Sequence, residues 1–175
     1  EKEFGRSLSD ENVHVLDPFT GTGTFITRMI QSGLINRDAL PRKYRQELHA
    51  NEIVLLAYYI ASVNIENAYH ATVGEKTQYV PFNGICLTDT FQLGENADEN
   101  ALYTPALKQN SERVQAQQKA PIQVIIGNPP YSVGQKSAND NAQNQHYAKL
   151  EKRLAMTYVV GASGTSKKSL YNSYI

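Results

Sequence analysis

The sequence predicts an α/β domain built on a mainly parallel sheet, and three observations carry that expectation. Short apolar runs alternate with stretches of helical spacing along most of the 175 residues. The first of these runs passes through a glycine-rich turn straight into a helical segment. Four of the runs close on a polar side chain, Asp17, Glu52, Asp89 or Asn128, which puts chemistry at the carboxyl ends of strands, where open α/β sheets bind ligands.

Residues 13–19 (VHVLDPF) read as the first strand, closed by Asp17 and Pro18. The turn TGTGT follows at 20–24, then a helix from Phe25 to Ile30 that stops near Gly33. A small polar helix is expected after Pro41, and residues 47–53 form a second strand with Glu52 near its carboxyl end. Ile53, Leu56, Ala57, Ile60 and Asn64 recur at helical spacing, so residues 54–69 are expected to be an amphipathic helix. A third strand is expected at 84–91 and a fourth at 121–127, the latter running directly into Asn128-Pro129-Pro130-Tyr131. Between them, 92–120 is polar and reads as a loop with one exposed helix around 105–118. Residues 132–146 hold mostly Ser, Gly, Lys, Asn, Asp and Gln and read as a mobile surface loop. A helical or extended segment at 150–160 and a small-residue loop at 161–166 complete the chain's regular pattern.

Composition narrows the function classes. Lys plus Arg number 17 and Asp plus Glu number 17, so no overall field draws the chain onto a polyanion, and phosphate contacts to a nucleic acid must lie elsewhere. The one cysteine, Cys86, sits in an apolar stretch and cannot form a disulfide within the chain. A reducing, cytoplasmic setting fits, and no apolar run approaches the ~20 residues a membrane span needs. The chain starts without Met and stops at LYNSYI with no helix stop or polar tail, so it reads as one partial domain, 1–175, of something longer.

The turn from Asp17 to Thr24 puts Gly21 and Gly23 where backbone comes close to a ligand at a helix N-terminus. A dinucleotide fingerprint would have Gly or Ala three residues after Gly23, where Ile26 stands. S-adenosylmethionine has no phosphate and carries a positive sulfonium, so its site needs carboxylates and close backbone instead. Asp17, Glu52 and Asp89 could supply an acceptor for an ammonium, for ribose hydroxyls and for an adenine amino group. Each of the flanking carboxylates could equally cap a strand end or helix start.

Asn128-Pro129-Pro130-Tyr131 is the sharpest signal. An exocyclic amine is a poor nucleophile because its lone pair is delocalised into the ring. Two acceptors aimed at its hydrogens favour the pyramidal form: the Asn128 side-chain oxygen and the Pro129 carbonyl, with proline holding φ. Tyr131 offers a face for a flipped base, worth roughly 1–3 kcal/mol. Asn-Pro also marks ordinary turns, but here an apolar run feeds it and a tyrosine follows.

These two segments, 17–25 and 128–131, together resemble the cofactor loop and catalytic tetrapeptide of the N6-adenine DNA methyltransferases. Their order resembles the gamma class. The run from His49 to Ile53, the Asn-rich loop after Tyr131 and the closing Ser169–Ile175 segment are similar to the methyltransferase domain of large single-chain restriction-modification enzymes. The resemblance implies a Rossmann-like S-adenosylmethionine-dependent methyltransferase fold, incomplete in this stretch. It implies that Phe19 packs on the cofactor adenine, that Glu52 holds the ribose and that Asp89 binds the adenine amino group. Pro18, Thr20, Gly21, Gly23, Asn51 and Thr90 complete the expected cofactor site beside Asp17. It further implies double-stranded DNA as partner, through a recognition domain outside these residues, with nuclease and helicase-like domains in the same parent chain.

Protein glutamine and RNA guanine methyltransferases resemble the same Asn-Pro-Pro-aromatic solution and stand as the alternative. Cytosine carbon-5 chemistry needs a cysteine beside proline, which Cys86 lacks. The segment from Gly161 to Ser169 lacks the glycine that a phosphate loop has before its lysine. The four histidines show no metal-ligand spacing.

Overall fold

β1 (His14–Asp17) is the axis of the fold, and in the computed structural model, which describes residues 5–74, 78–95, 107–130 and 147–161, it is paired on both sides. β2 (Leu48–Glu52) lies along one edge and β4 (Ile122–Ile125) along the other, with β3 (Ile85–Leu87) outside β2. All pairings are parallel and the order is β3-β2-β1-β4. The chain therefore steps outward from β1 through β3 and then crosses back to the free side of β1. That reversal puts the switch point between β1 and β4, directly beyond Asp17.

The described residues fall into two compact units, one of Glu1–Thr90 with Glu99–Asn128, the other of Phe91–Asp98 with Pro129–Ile175. The first holds the whole sheet. Its helix α1 (Thr24–Gln31) starts at Gly23, whose φ of 86° is left-handed, and buries Ile26, Met29 and Ile30. These meet Val15, Leu48, Ala50 and Ile85 from the sheet, and Ala61 and Ile65 from α3 (Leu55–Val73), in one core. Tyr44 stacks on Tyr69 with ring centroids 3.7 Å apart and closes the core at its far end. In the second unit, α4 (Thr90–Glu95) contributes Phe91, whose ring packs on Tyr147 ahead of α6 (Ala148–Leu154). A π-helical turn, Ala155–Val159, continues α6.

Three expectations need correction. The apolar stripe foreseen on α3 is not the buried one: Leu56 is 70% and Ile60 40% exposed, while Ala61, Ile65, Ala68 and Tyr69 are buried. The first turns of this helix are apolar all round, so spacing alone selects no face, and Ala61 is chosen because a small residue lets α3 close on Gly23. The small polar helix after Pro41 is instead α2 (Leu40–Arg42) running into a π-helical turn, Lys43–Glu47, that buries Lys43, Tyr44 and Glu47. Lys43 is tolerated there because its Nζ donates to the carbonyls of Asp10 and Val13 and pairs with Glu47 at 2.6 Å. The helix expected to be exposed, α5 (Lys108–Lys119), packs on the sheet through Ser111, Val114 and Gln117. Asn110 fixes it by exchanging two hydrogen bonds with the backbone of Leu87.

No helix among the described residues is long and apolar enough to cross a membrane. Cys86 is buried, and burial pushes its thiol up to about 12, which makes it unreactive.

Candidate active site at the carboxyl edge of the sheet

Asp17 is the last residue of β1 and Glu52 the last of β2. Parallel pairing forces both to the same edge. Asp89 stands half-buried shortly after β3, and Asn128 is exposed shortly after β4. The four polar groups singled out from sequence thus share one edge of one sheet.

The turn after β1 is held by these neighbours. Thr20 donates its N–H to the Asn51 carbonyl at 3.0 Å and its hydroxyl to the Asp17 carbonyl at 2.9 Å. Its side chain is therefore spent on shaping the turn. Gly21 donates its N–H to Glu52 Oε2 at 2.8 Å, and Glu52 Oε1 accepts from the N–H of Val54 at 2.7 Å. Two lone-pair positions remain on that carboxylate for further donors. Gly21 has a φ of 56° and nothing within 4 Å of where a β-carbon would be, so its glycine serves the turn and leaves open space beside it. Gly23 differs. A β-carbon there would meet the Ala61 backbone at 3.2 Å, so this glycine serves the packing of α1 on α3 as well as the left-handed turn.

Asp17 is fully buried. Its Oδ1 accepts from the N–H of Phe19 at 3.2 Å, and Oδ2 has no hydrogen-bond partner among the described residues. Burial raises its pKa to about 6, against the stabilising Phe19 N–H and helped by the charge of Glu52. Asn51 Oδ1 is likewise buried without a partner. Two buried acceptors left over at this candidate edge fit a cofactor that brings donors, as the ammonium, hydroxyl and amino groups of S-adenosylmethionine would.

Residues beyond the sequence expectations also shape this edge. Ile53 and Val54 follow Glu52 and are 61% and 55% exposed, an apolar shelf next to the acid. Gly127 packs against Pro18 and Asp17. Ile53 is marked in the sequence only as a helix-face residue and as the end of the His49–Ile53 run, and Val54 and Gly127 only by their position next to marked segments. Pro129 and Pro130 are exposed. Tyr131, the predicted loop 132–146 and the residues from 162 onward lie outside the described residues.

Residues 6–170 match the family model described as UPF0020, RMKL-like, methyltransferase domain. Among solved structures, a nuclease-deletion mutant of the Type ISP restriction-modification enzyme LlaGI, in complex with a DNA substrate mimic, is 48% identical over 99% of this chain with a TM-score of 0.83. The ATP-dependent Type ISP restriction-modification enzyme LlaBIII bound to DNA is 47% identical over 99%, with a TM-score of 0.85. A DrdV–DNA complex is 38% identical over 98%, with a TM-score of 0.80. The chain spans 14%, 12% and 17% of those three chains, respectively. No curated protein gives a match.

Proposed function

The chain belongs to the UPF0020 family of RMKL-like methyltransferase domains, and from that premise we propose that it transfers a methyl group from S-adenosylmethionine to the N6 amino group of adenine in DNA, as part of a restriction-modification enzyme. The observation that carries this is that the strand leading into the cofactor turn and the strand leading to Asn128 are parallel neighbours in the sheet. Asp17, with a buried oxygen lacking a partner, ends β1, and β4, which leads to Asn128, is hydrogen-bonded to it. Support for the DNA substrate comes from the relatives, whose structures hold DNA or a DNA substrate mimic.

When bound, S-adenosylmethionine supplies an electrophilic methyl on a sulfonium. The chain's own groups then have separable tasks. Asp17 faces the methionine ammonium, Glu52 accepts the ribose hydroxyls, Asp89 accepts the cofactor's adenine amino group and Phe19 packs on its ring. Asn128 Oδ1 and the Pro129 carbonyl accept the two hydrogens of the target amine, which favours the pyramidal nitrogen, and Pro130 stiffens the segment. Tyr131 stacks on the extruded base. No general base or covalent nucleophile is required. With zero formal net charge, this chain leaves most phosphate contacts to a recognition domain elsewhere in the parent polypeptide.

The test is methyl incorporation from labelled S-adenosylmethionine by the intact parent enzyme, offered duplex DNA, RNA and protein in parallel, with the modified nucleoside identified by mass spectrometry. N6-methyladenine in the duplex is the expected product. Label appearing in guanine of RNA or in glutamine would overturn the adenine assignment in favour of the related acceptors that suit the same geometry.

A further inference from the structure

Three strand ends are tied together one residue away from the groups assigned to the adenosine half of the cofactor. Thr90 Oγ1 donates to the Pro18 carbonyl at 2.7 Å, and Asn51 Nδ2 donates to Thr90 Oγ1 at 3.1 Å. The carbonyl of Asn51 closes the figure by accepting from the N–H of Thr20 at 3.0 Å. The Thr90 hydroxyl thus donates once and accepts once, and Asn51 is only 1% exposed. The tie uses the Thr90 hydroxyl and the Asn51 Nδ2, and it leaves Asn51 Oδ1 without a partner among the described residues. Each tied residue adjoins one assigned to the cofactor: Pro18 precedes Phe19, Asn51 precedes Glu52, and Thr90 follows Asp89.

We infer that Asn51 and Thr90 are positioning residues, a buried relay that sets the spacing of Phe19, Glu52 and Asp89 and governs capture of an adenosine moiety through that tie. The inference rests on the reading of this edge as an S-adenosylmethionine pocket and goes beyond it. The physical reason lies in the ends of a parallel sheet. Beyond Asp17, Glu52 and Leu87 the backbone pairing thins to the Thr20 N–H on the Asn51 carbonyl and the Thr88 N–H on the Glu52 carbonyl, so the side-chain tie through Thr90 helps to hold three successive turns in register. Removing the Thr90 hydroxyl leaves two buried groups, Asn51 Nδ2 and the Pro18 carbonyl, unpaired at once, and the turns can restore pairing only by moving.

The experiment is calorimetric titration of adenosine and of S-adenosylhomocysteine into the intact protein and into Thr90→Val, Thr90→Ser, Asn51→Ala and the Asn51→Ala/Thr90→Val double variant. Thr90→Val is expected to weaken both ligands by the same factor, about tenfold, because the whole loss falls on the adenosine half. Thr90→Ser keeps the hydroxyl and is expected to bind within about twofold of the parent. The double variant is expected to bind no more weakly than the worse single one, the mark of two residues acting through one relay. In methylation assays the KM for the cofactor rises while kcat at saturation is held. Parent binding with Thr90→Val unaffected, or additive losses in the double variant, overturns the relay and leaves the pocket standing. A parent protein that binds neither nucleoside overturns both. If Thr90→Val fails to fold, Asn51→Ala, which keeps the Thr90 to Pro18 bond, carries the same comparison.

Discussion

Gly127 passes Asp17 so closely that a β-carbon at position 127 would lie 3.3 Å from Asp17 Oδ1 and 3.2 Å from Pro18 Cδ. Both obstacles are fixed, the first by the Phe19 N–H and the second by the proline ring. The strand that delivers Asn128 is therefore pressed onto the turn that starts the proposed cofactor site, and neither can shift without the other.

Gly127→Ala follows from this contact. The extra methyl must push β4 or the turn aside by a few tenths of an ångström, which should cost about 1–2 kcal/mol in stability. Methyl transfer should fall by more than the stability loss alone explains, because the displacement acts on the residue before Asn128. Urea denaturation and single-turnover methylation of a duplex, measured on the same preparation, check both. Wild-type turnover in a well-folded variant would show that this contact does not set the catalytic geometry.

Asn128→Ala should separate catalysis from cofactor binding. The proposed bond strengthens as the target nitrogen pyramidalises and gains charge, so its loss should lower methyl transfer by on the order of 100-fold. S-adenosylhomocysteine affinity should stay near the parent value. Tyr131→Phe should retain most activity and Tyr131→Ala should weaken capture of the base, since the ring face is what stacks. A full-rate Asn128→Ala enzyme would remove the mechanism.

Burial pushes the Asp17 carboxyl of the folded state up to about 6, against an ordinary aspartate value of 3.8. Between those values the folded protein holds a proton that the unfolded chain releases, so this group's contribution is present below pH 4 and lost as pH rises through 6, by roughly 3 kcal/mol at most. Asp17→Asn removes that loss, and its stability advantage over the parent should grow from pH 4 to pH 7. A cation seated beside Asp17 should reverse the preference, so S-adenosylhomocysteine binding near pH 6 should release a proton, seen as a dependence of binding heat on the buffer's ionisation enthalpy. Binding without proton release at that pH would place the ammonium elsewhere.

At the opposite edge of the sheet, His14 Nδ1 and His49 Nε2 are 2.9 Å apart with their rings stacked. Burial, then the neighbouring His14, lowers His49 to about 4, and burial lowers His14 as well. The sign here is opposite to that of Asp17. Stability from the neutral pair is intact above pH 6.5 and is lost as pH falls toward 4, by roughly 3 kcal/mol at most for His49. His49→Asn should flatten the acid limb of a stability-versus-pH curve while leaving Asp17's contribution in place. An unchanged acid limb would mean that other groups carry it.

Lys43 and Glu47 form a buried pair that also ties down the lead-in to β1, through the Lys43 bonds to Asp10 and Val13 and the Asn12 N–H on Glu47 Oε1. Glu47→Gln leaves the ammonium buried without its counter-charge and should cost about 3–5 kcal/mol. Lys43→Met combined with Glu47→Leu should recover part of that loss, because no fully buried charge is left unpaired: Arg42, the other partner of Glu47, is partly exposed and keeps its bond to the Ser9 carbonyl. Equal destabilisation by the single and double changes would mean that the backbone ties, and not the charge, set the cost.

Local sequence decided which segments became strands and where the polar groups fell along them. The apolar run into Asp17, the run into Glu52 and the run into Asn128 each encode a strand and its end, because alternation and turn chemistry act within a few residues. Parallel pairing then brings those ends to one edge, and the pattern of strands and helices already implies that pairing. What only the tertiary structure decided depends on neighbours distant in sequence. The buried face of α3 depends on how closely Gly23 lets α1 approach, the burial of Lys43 on carbonyls thirty or more residues away, and the exposed-looking α5 on a sheet face left for it to cover. Asn51 and Thr90, 39 residues apart in sequence, share a hydrogen bond only because β2 and β3 are adjacent strands. Contacts between side chains at different strand ends have no periodicity in sequence, and so the residues proposed for this site, Asn51 and Thr90 among them, could be named from the sequence whereas the bonds between them could not.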